Sequence, residues 1–287
     1  MEYRSPGSVR EAVDLLAAHG SGAQVLAGGT DLLVKLRGGY VAPEVVVDVK
    51  AIPQLRGIGE DARGFRIGAA TSCAEIGEHP ALAAAWPGVV EALQLIGSTQ
   101  IQGRATLGGN LCNASPAADS VPAMIAAGVV CEVAGPAGQR ELPVETIVTG
   151  PGRTALARGE FVVAFRLPKP QVRSGDAYLR LIPRTEMDIA VVGAGVALAL
   201  DEQGVCTHAR VALGAVAPTP LLVSDAAMAL IGTRVDAAAL AALAAATSAA
   251  CKPIDDKRGT IEYRTKVAGV LARRTATIAY ERARERR

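Results

Sequence analysis

Two short segments of the sequence each place a pair of glycines next to an apolar run. The first is AGGTDL, from Ala27 to Leu32, and the second lies within ATLGGNLCNASPAADS, from Ala105 to Ser120. Glycine pairs let bare backbone N–H groups face an anion, and the start of a following helix adds a partial positive charge. Neither segment is the GxGxxG fingerprint of Rossmann folds or a Walker A motif, and each alone is also compatible with an ordinary turn.

The second segment adds neutral polar side chains to its glycines, Gly108 and Gly109. Hydroxyl and amide groups are offered by Thr106, Asn110, Asn113 and Ser115, and such groups hydrogen-bond to uncharged ligand atoms. Asp119 directly precedes a predicted helix, which it would cap. Two glycine segments in neighbouring α/β units indicate a shared groove for a long ligand that carries phosphates and hydroxyls, which is a description of a dinucleotide.

The elements around these segments predict an α+β protein. AQVLA is typical of a short buried strand, DLLVKLR of a helix with Asp31 at its start, and Val45–Val49 of a second strand. Residues 81–96 are interpreted as one helix, the second glycine segment as a loop, and KPQVRSGDAY as a connection. After it come two long strands joined at DEQG, then helices. The predicted units are 1–57 (α/β), 58–172 (α+β) and 173–287 (a C-terminal α+β domain with a small antiparallel sheet and helices).

The composition excludes several classes of function. Aromatic residues make up 3% of the chain and the net charge is +2, so a nucleic-acid partner is not expected. Five scattered cysteines without a CxxC pair indicate free thiols in a reducing compartment. No apolar tract is long enough to cross a bilayer, so we expect a cytoplasmic protein. The three histidines are isolated and are interpreted as structural or exposed, and we predict no metal site and no catalytic side chain.

Three ordered segments carry a family resemblance. VLAGGTDLLVKLR, TLGGNLCNASPAAD and YLRLIPRTEMDIAVVGAGVAL resemble the hallmark segments of the FAD-binding medium subunit of molybdenum hydroxylases, the xanthine dehydrogenase and carbon monoxide dehydrogenase family. Their order and spacing match that family, and the resemblance covers nearly the whole chain. It implies a two-subdomain FAD-binding domain followed by the C-terminal domain, with units 1–57 and 58–172 holding FAD.

The resemblance also implies which residues bind FAD. The first glycine segment would contact the pyrophosphate side, mainly through backbone amides, and Asp31 would touch the cofactor. The second would line the flavin and ribityl side, with Val162 beside the ring system. Arg180 would neutralise charge on reduced flavin, although a surface arginine at a strand edge is an open alternative. The complete set of implied cofactor-binding residues is Val25, Leu26, Ala27, Gly28, Gly29, Thr30, Asp31, Leu32, Thr106, Gly108, Gly109, Asn110, Asp119, Val162 and Arg180.

Some positions depart from the family pattern or stay ambiguous. Family members commonly have Ile-Arg-Asn before the second segment, whereas this chain has Ile101, Gln102 and Gly103, so no cofactor contact is assigned there. Arg184, Glu186 and Asp188 belong to the third segment and are interpreted either as neighbours of the flavin face or as an ion-pair cluster, and the ion-pair cluster is the preferred interpretation of Glu186. Cys112 is interpreted as a small filler in a tight turn.

The implied function is that of an oxidoreductase subunit. Electrons from a large molybdopterin-binding subunit would pass through a small iron–sulfur subunit to FAD on this chain, and then to NAD, a quinone or dioxygen. The molybdopterin and the iron–sulfur clusters would lie on those partners, and the assembly would be a heterotrimer. Two alternatives stay open: a stand-alone FAD-dependent oxidoreductase, and a non-catalytic scaffold subunit that has lost FAD.

Overall fold

The computed structural model describes residues 1–286, so the last residue of the predicted third unit, Arg287, lies outside the described part. The chain begins with a small parallel sheet. Its strands are β1 (Glu2–Arg4), β2 (Ala23–Leu26) and β3 (Val45–Asp48), in the order β1-β3-β2, and its helices are α1 (Val9–His19) and α2 (Leu32–Arg37). The strand–glycine–helix junction predicted from the sequence is confirmed, because the first glycine pair lies between β2 and α2.

An antiparallel sheet of five strands follows, in the order β4-β5-β10-β6-β7. Two further strands, β8 and β9, form a separate hairpin. The strands are β4 (Ile58–Asp61), β5 (Gly64–Gly68), β6 (Val130–Gly135), β7 (Gly138–Pro143), β8 (Val148–Gly150), β9 (Arg153–Thr154) and β10 (Phe161–Pro168). The helices are α3 (Cys73–Gly77), α4 (Pro80–Ala85), α5 (Pro87–Gln94), α6 (Thr99–Gln102), α7 (Leu107–Cys112) and α8 (Ser120–Ala126).

The C-terminal part is an antiparallel sheet of four strands with three helices. The strands, in sheet order, are β11 (Ser174–Leu181), β12 (Val192–Leu200), β13 (Cys206–Gly214) and β14 (Leu221–Leu222), and the helices are α9 (Ser224–Met228), α10 (Ala237–Ala250) and α11 (Ile261–Glu285). Short 3₁₀ turns occupy Gly20–Gly22, Val49–Ala51, Pro53–Leu55 and Val144–Thr146. The predicted α+β fold class is confirmed, with parallel strands confined to the first fifty residues.

Three local predictions are wrong, each for a physical reason. Residues 81–96 contain two helices instead of one, because Pro87 has no N–H to continue α4 and begins α5 instead. The predicted connection KPQVRSGDAY already contains the start of β11, an edge strand whose Asp176 and Tyr178 are buried despite their polar groups. The second glycine segment contains helix α7 where a loop was expected.

The buried apolar side chains form three clusters. One joins α1 and the parallel sheet to Phe161 and Val163 of β10. The second fills the space between the five-stranded sheet and α3 to α8, and the third lies between the C-terminal sheet and α10 and α11. The first cluster therefore fixes the first glycine segment against the five-stranded sheet. The predicted boundaries at residues 57/58 and 172/173 stay predictions.

Candidate functional site

A cavity of about 580 Å³ lies between the two glycine segments. Strand β10 contributes Phe161 and Val162 to its wall. The structure therefore brings together most of the residues that the sequence selected. Those that line the cavity are Val25, Ala27, Gly28, Gly29, Thr30, Asp31, Leu32, Thr106, Gly108, Gly109, Asn110 and Val162, whereas Leu26, Asp119 and Arg180 do not line it.

The first glycine segment offers free backbone donors to this cavity. In the described part of the chain, the N–H groups of Gly28, Gly29 and Thr30 have no hydrogen-bond acceptor. The carbonyl of Ala27 is held from the other side, because Lys50 Nζ donates to it at 3.1 Å and to Asp48 Oδ1 at 2.7 Å. Unsatisfied N–H groups in a cavity wall are suited to an anion such as a phosphate.

Gly28 is also needed for the contact between the two segments. A Cβ at this position would overlap the carbonyl oxygen of Arg104, one residue before the second segment begins. The first glycine pair thus has a packing role as well as an exposed backbone. The sequence pattern alone does not distinguish these two roles.

The second glycine segment is held by its own hydrogen bonds. Thr106 caps α7, since its Oγ1 accepts from the N–H of Gly109 at 3.0 Å, and the N–H of Gly108 donates to the carbonyl of Ala69 at 3.1 Å. These two N–H groups are therefore engaged within the protein. A Cβ on Gly109 would meet only Thr106 Oγ1, at 3.0 Å, so this glycine leaves space at the cavity wall without being required by neighbouring backbone.

Polar side chains connect the walls of the cavity. Lys35 Nζ donates to Asn113 Oδ1 at 2.6 Å, and Asn113 Nδ2 donates to Asp31 Oδ1 at 3.2 Å. On the other side, Ser120 Oγ donates to Asn110 Oδ1 at 2.6 Å. Sequence reasoning missed Lys35 as a lining residue. Its position four residues after Asp31, on the same face of α2, was the available signal.

Asp119 and Arg180 form a buried ion pair beside the cavity. Arg180 Nη1 donates to Asp119 Oδ2 at 2.6 Å, with side-chain exposures of 4% and 9%, and Tyr178 Oη donates to Asp119 Oδ1 at 2.9 Å. Burial raises the pKa of Asp119 to about 6, although Arg180 and Tyr178 lower it. Asp119 precedes α8 but makes no capping hydrogen bond, so the predicted cap is wrong, and Arg180 is not a surface arginine.

The ion-pair interpretation of the third segment is confirmed in part. Asp188 pairs with Arg184 and with Arg258, at 3.4 and 3.3 Å. Within residues 1–286, Glu186 forms no such pair and is exposed, so the ion-pair interpretation preferred for this residue is wrong. None of the three residues named from the sequence lines the cavity.

The cysteines and histidines play other roles. All five cysteines are free thiols, as predicted. Cys112 ends α7 and lines the cavity, so its interpretation as a filler in a tight turn is wrong. His79 caps α4 by accepting from the N–H of Leu82, which confirms a structural role. Among residues 1–286, no group of three His, Cys, Asp or Glu side chains is placed to hold a metal ion.

The arrangement fits a flavin dinucleotide chemically. Free N–H groups and Lys35 suit phosphates, Thr106 and Asn110 suit hydroxyl groups, and Val162 with Phe161 offers an apolar wall to a ring system. No helix in the described part of the chain is both long and apolar enough for a membrane span.

Comparisons with known proteins agree with this chemistry. Residues 1–170 match the family described as "FAD binding domain in molybdopterin dehydrogenase", and residues 177–279 match "CO dehydrogenase flavoprotein C-terminal domain". The chain is 37% identical to the carbon monoxide dehydrogenase medium chain of Afipia carboxidovorans, over 99% of this chain and 98% of that one. It is 35% identical to the corresponding chain of Hydrogenophaga pseudoflava, over 98% and 97%.

A solved structure shows the same fold. The match is to a chain of reconstituted CO dehydrogenase from Oligotropha carboxidovorans, with a TM-score of 0.94, 36% identity and 98% of both chains covered. The likeness therefore extends over the FAD-binding part and the C-terminal part together.

Proposed function

The chain belongs to the family of FAD-binding medium subunits of molybdenum hydroxylases, and we propose that it passes electrons from iron–sulfur centres of a partner subunit through FAD to a final acceptor. It is thus the flavin subunit of an oxidoreductase complex, and FAD is its cofactor. The observation that carries the proposal is that both glycine segments line the same cavity.

We propose that this cavity is the FAD site. The free N–H groups of Gly28, Gly29 and Thr30 would hold the phosphates, and Thr106 and Asn110 would hold the ribityl hydroxyls. Val162 would contact the ring system. FAD, when bound, supplies the ability to accept and release electrons. The cofactor roles of Val25, Leu26, Ala27, Asp31, Leu32, Gly108, Gly109, Asp119 and Arg180 are part of the same proposal.

Three residues of that proposal have structural roles beside their cofactor roles. Leu26 is buried at the end of β2 and would act on the cofactor only through the backbone. Asp119 and Arg180 neutralise each other, so a bound flavin would meet the pair and not an isolated cation. An arginine whose charge is already paired raises a flavin's potential less than a free one.

We propose two partners by analogy with the relatives, whose names describe medium chains and subunits. One is a large subunit that binds molybdopterin and oxidises the substrate, and the other is a small iron–sulfur subunit. NAD, a quinone or dioxygen would be the final acceptor. The free thiols support a reducing compartment, and we propose the cytoplasm.

The complex is tested by purifying the tagged chain from cells that express it with its natural partners. The proposal predicts molybdenum and iron in fixed ratio to FAD, together with two further polypeptides. FAD-containing protein that elutes alone, without either metal, would instead favour the stand-alone flavoprotein. Protein that elutes with both metals but without flavin would favour the scaffold.

A further inference from the structure

Lys35 places a positive charge in the wall of the cavity. Its side chain is half-buried, and its Nζ lies 2.6 Å from Asn113 Oδ1. Among the described residues that line the cavity, it is the one Lys or Arg, whereas Asp31 and Glu160 are the acids. A cation of this kind is the natural partner of an anionic part of a ligand.

The charge of Lys35 is not neutralised within the described part of the protein. No carboxylate lies within 4.0 Å of its Nζ there, since its partner is the neutral amide of Asn113. Asp31 is connected to it only through that amide. A half-buried ammonium that donates to a neutral acceptor keeps its positive charge available to an anionic ligand.

Helix α2, which carries Lys35, has little else to hold it. None of its six residues is buried, although Leu32, Leu33, Val34 and Leu36 are apolar. An isolated helix of this length is unstable in water. The Lys35–Asn113–Asp31 hydrogen bonds link α2 to the end of α7 across 78 and 82 residues of sequence. They therefore hold the ammonium at the cavity before any ligand is bound.

We propose that Lys35 is a cofactor-binding residue that pairs with the phosphates of FAD, and that Asn113 holds its ammonium in place for this contact. The inference rests on the proposed FAD site and adds to it a charged side chain. The free N–H groups of the first glycine segment line the same cavity. Lys35 thus supplies the full positive charge that backbone amides lack.

The test compares ligands with and without phosphates. Apoprotein of the full chain is titrated with FAD and, separately, with riboflavin, which has the same ring system and ribityl chain but no phosphate. The variants are Lys35→Gln, which removes the charge, and Lys35→Arg, which keeps it. Arg37→Gln is the matched control, because Arg37 is exposed on the same helix and does not line the cavity.

The expected result is selective. Lys35→Gln should weaken FAD binding about 10- to 100-fold, the range of a charged hydrogen bond, and leave riboflavin binding unchanged. The affinity of the wild type for FAD should fall with added salt more steeply than that of Lys35→Gln. Lys35→Arg should retain most of the affinity, and Arg37→Gln all of it.

Other outcomes would overturn the proposal. An equal loss of affinity for FAD and for riboflavin would mean that Lys35 only connects α2 with the end of α7. An unchanged affinity for FAD would mean that Lys35 does not contact the phosphates. Circular dichroism of each variant distinguishes these results from misfolding, and Lys35→Arg provides a second folded comparison. A wild type that binds neither ligand would overturn the proposed FAD site itself, which is a separate and recognisable failure.

Discussion

At the scale of single residues, the pair of Asp119 and Arg180 shows most clearly what the fold requires. Both side chains are almost fully buried, and Arg180 Nε has no acceptor in the described part of the chain. Removing one member of a buried ion pair leaves the other charge uncompensated. The pair is therefore a structural requirement, whether or not it also touches FAD.

Asp119→Asn should destabilise the protein strongly for this reason. We expect a loss of about 1 to 3 kcal/mol in the free energy of unfolding, measured by urea denaturation at pH 7.5, because the burial cost that raises the pKa of Asp119 offsets part of what the pair contributes. The double variant Asp119→Leu with Arg180→Met is the matched comparison, because it removes both charges. It should lose less than Asp119→Asn alone, and an equal or greater loss would contradict the account. FAD titration of the same variants tests the proposed cofactor contacts.

At the scale of elements, the short helix α2 is the part that ligand binding should change most. It buries no side chain and is tied to α7 through Asn113. Segments with few buried contacts open easily, and a ligand that binds the closed form slows that opening. We expect rapid hydrogen exchange of its amides in the apoprotein and at least tenfold slower exchange with FAD bound.

Mass spectrometry of peptides covering residues 32–37 would measure this change. Helix α11, which is distant in sequence and packs on the C-terminal sheet, is the internal control and should not change. Unaltered exchange of α2 in FAD-loaded protein would show that the cofactor does not contact this helix.

The elements also show which features of the fold local sequence patterns can predict. The junction of β2, Gly28, Gly29 and α2 was predictable, because a short apolar strand, a glycine pair and an acid at a helix start are all local signals. The predicted burial of this strand is wrong, since only Leu26 of β2 is buried. Helix α7 was not predicted, because two glycines weaken helix propensity. The cap by Thr106 and the bond from Gly108 to Ala69 offset that weakness. The second of these contacts is long-range and invisible to local patterns.

In the candidate site, too, the local features were predictable from the sequence and the long-range contacts were not. The glycines were found from sequence, and the cavity places them together. Asn113 was named from the sequence as a polar side chain of the second segment, but Lys35 was not assigned to the site, since its pairing with Asn113 spans 78 residues. The close contact between Gly28 and the carbonyl of Arg104, which leaves no room for a Cβ at Gly28, also depends on the tertiary fold.

At the scale of the whole molecule, Asp176 lies in β11, where the C-terminal sheet contacts helix α5. Arg282 of α11 donates to its carbonyl at 2.7 Å and also pairs with Glu91 of α5. Burial raises the pKa of the Asp176 carboxyl to about 7, with Glu91 raising it further, while Arg282, Arg286 and the Gly88 amide lower it. One of its carboxylate oxygens has no partner within residues 1–286.

This raised pKa predicts a pH dependence of stability. The folded protein holds the proton up to about pH 7, whereas the unfolded chain releases it near pH 4. The stabilising contribution is therefore complete below about pH 4 and is lost as the pH rises to about 7. Between pH 5 and pH 8 the loss should be on the order of 2 to 3 kcal/mol.

Asp176→Asn should reduce this pH dependence, because the amide does not titrate. Urea unfolding of both proteins at pH 5 and pH 8 measures the difference. Asp201→Asn serves as the control, since Asp201 caps a turn at the surface by accepting from backbone N–H groups. The same change between pH 5 and pH 8 in the wild type and in Asp176→Asn would contradict the assignment.

The central claim, that the two glycine segments form an FAD site, is tested most directly by an absorption spectrum of the purified protein. The released cofactor would be identified by its mass. If the two segments bind FAD, the wild type should show the bands of oxidised flavin and release a cofactor with the mass of FAD. Both should be lost in Gly109→Leu, whose side chain would occupy space in the cavity, and kept in Gly59→Leu, since a Cβ at Gly59 meets no atom within 4 Å. A colourless wild type that binds no added FAD, even when co-expressed with its partner subunits, would contradict the claim.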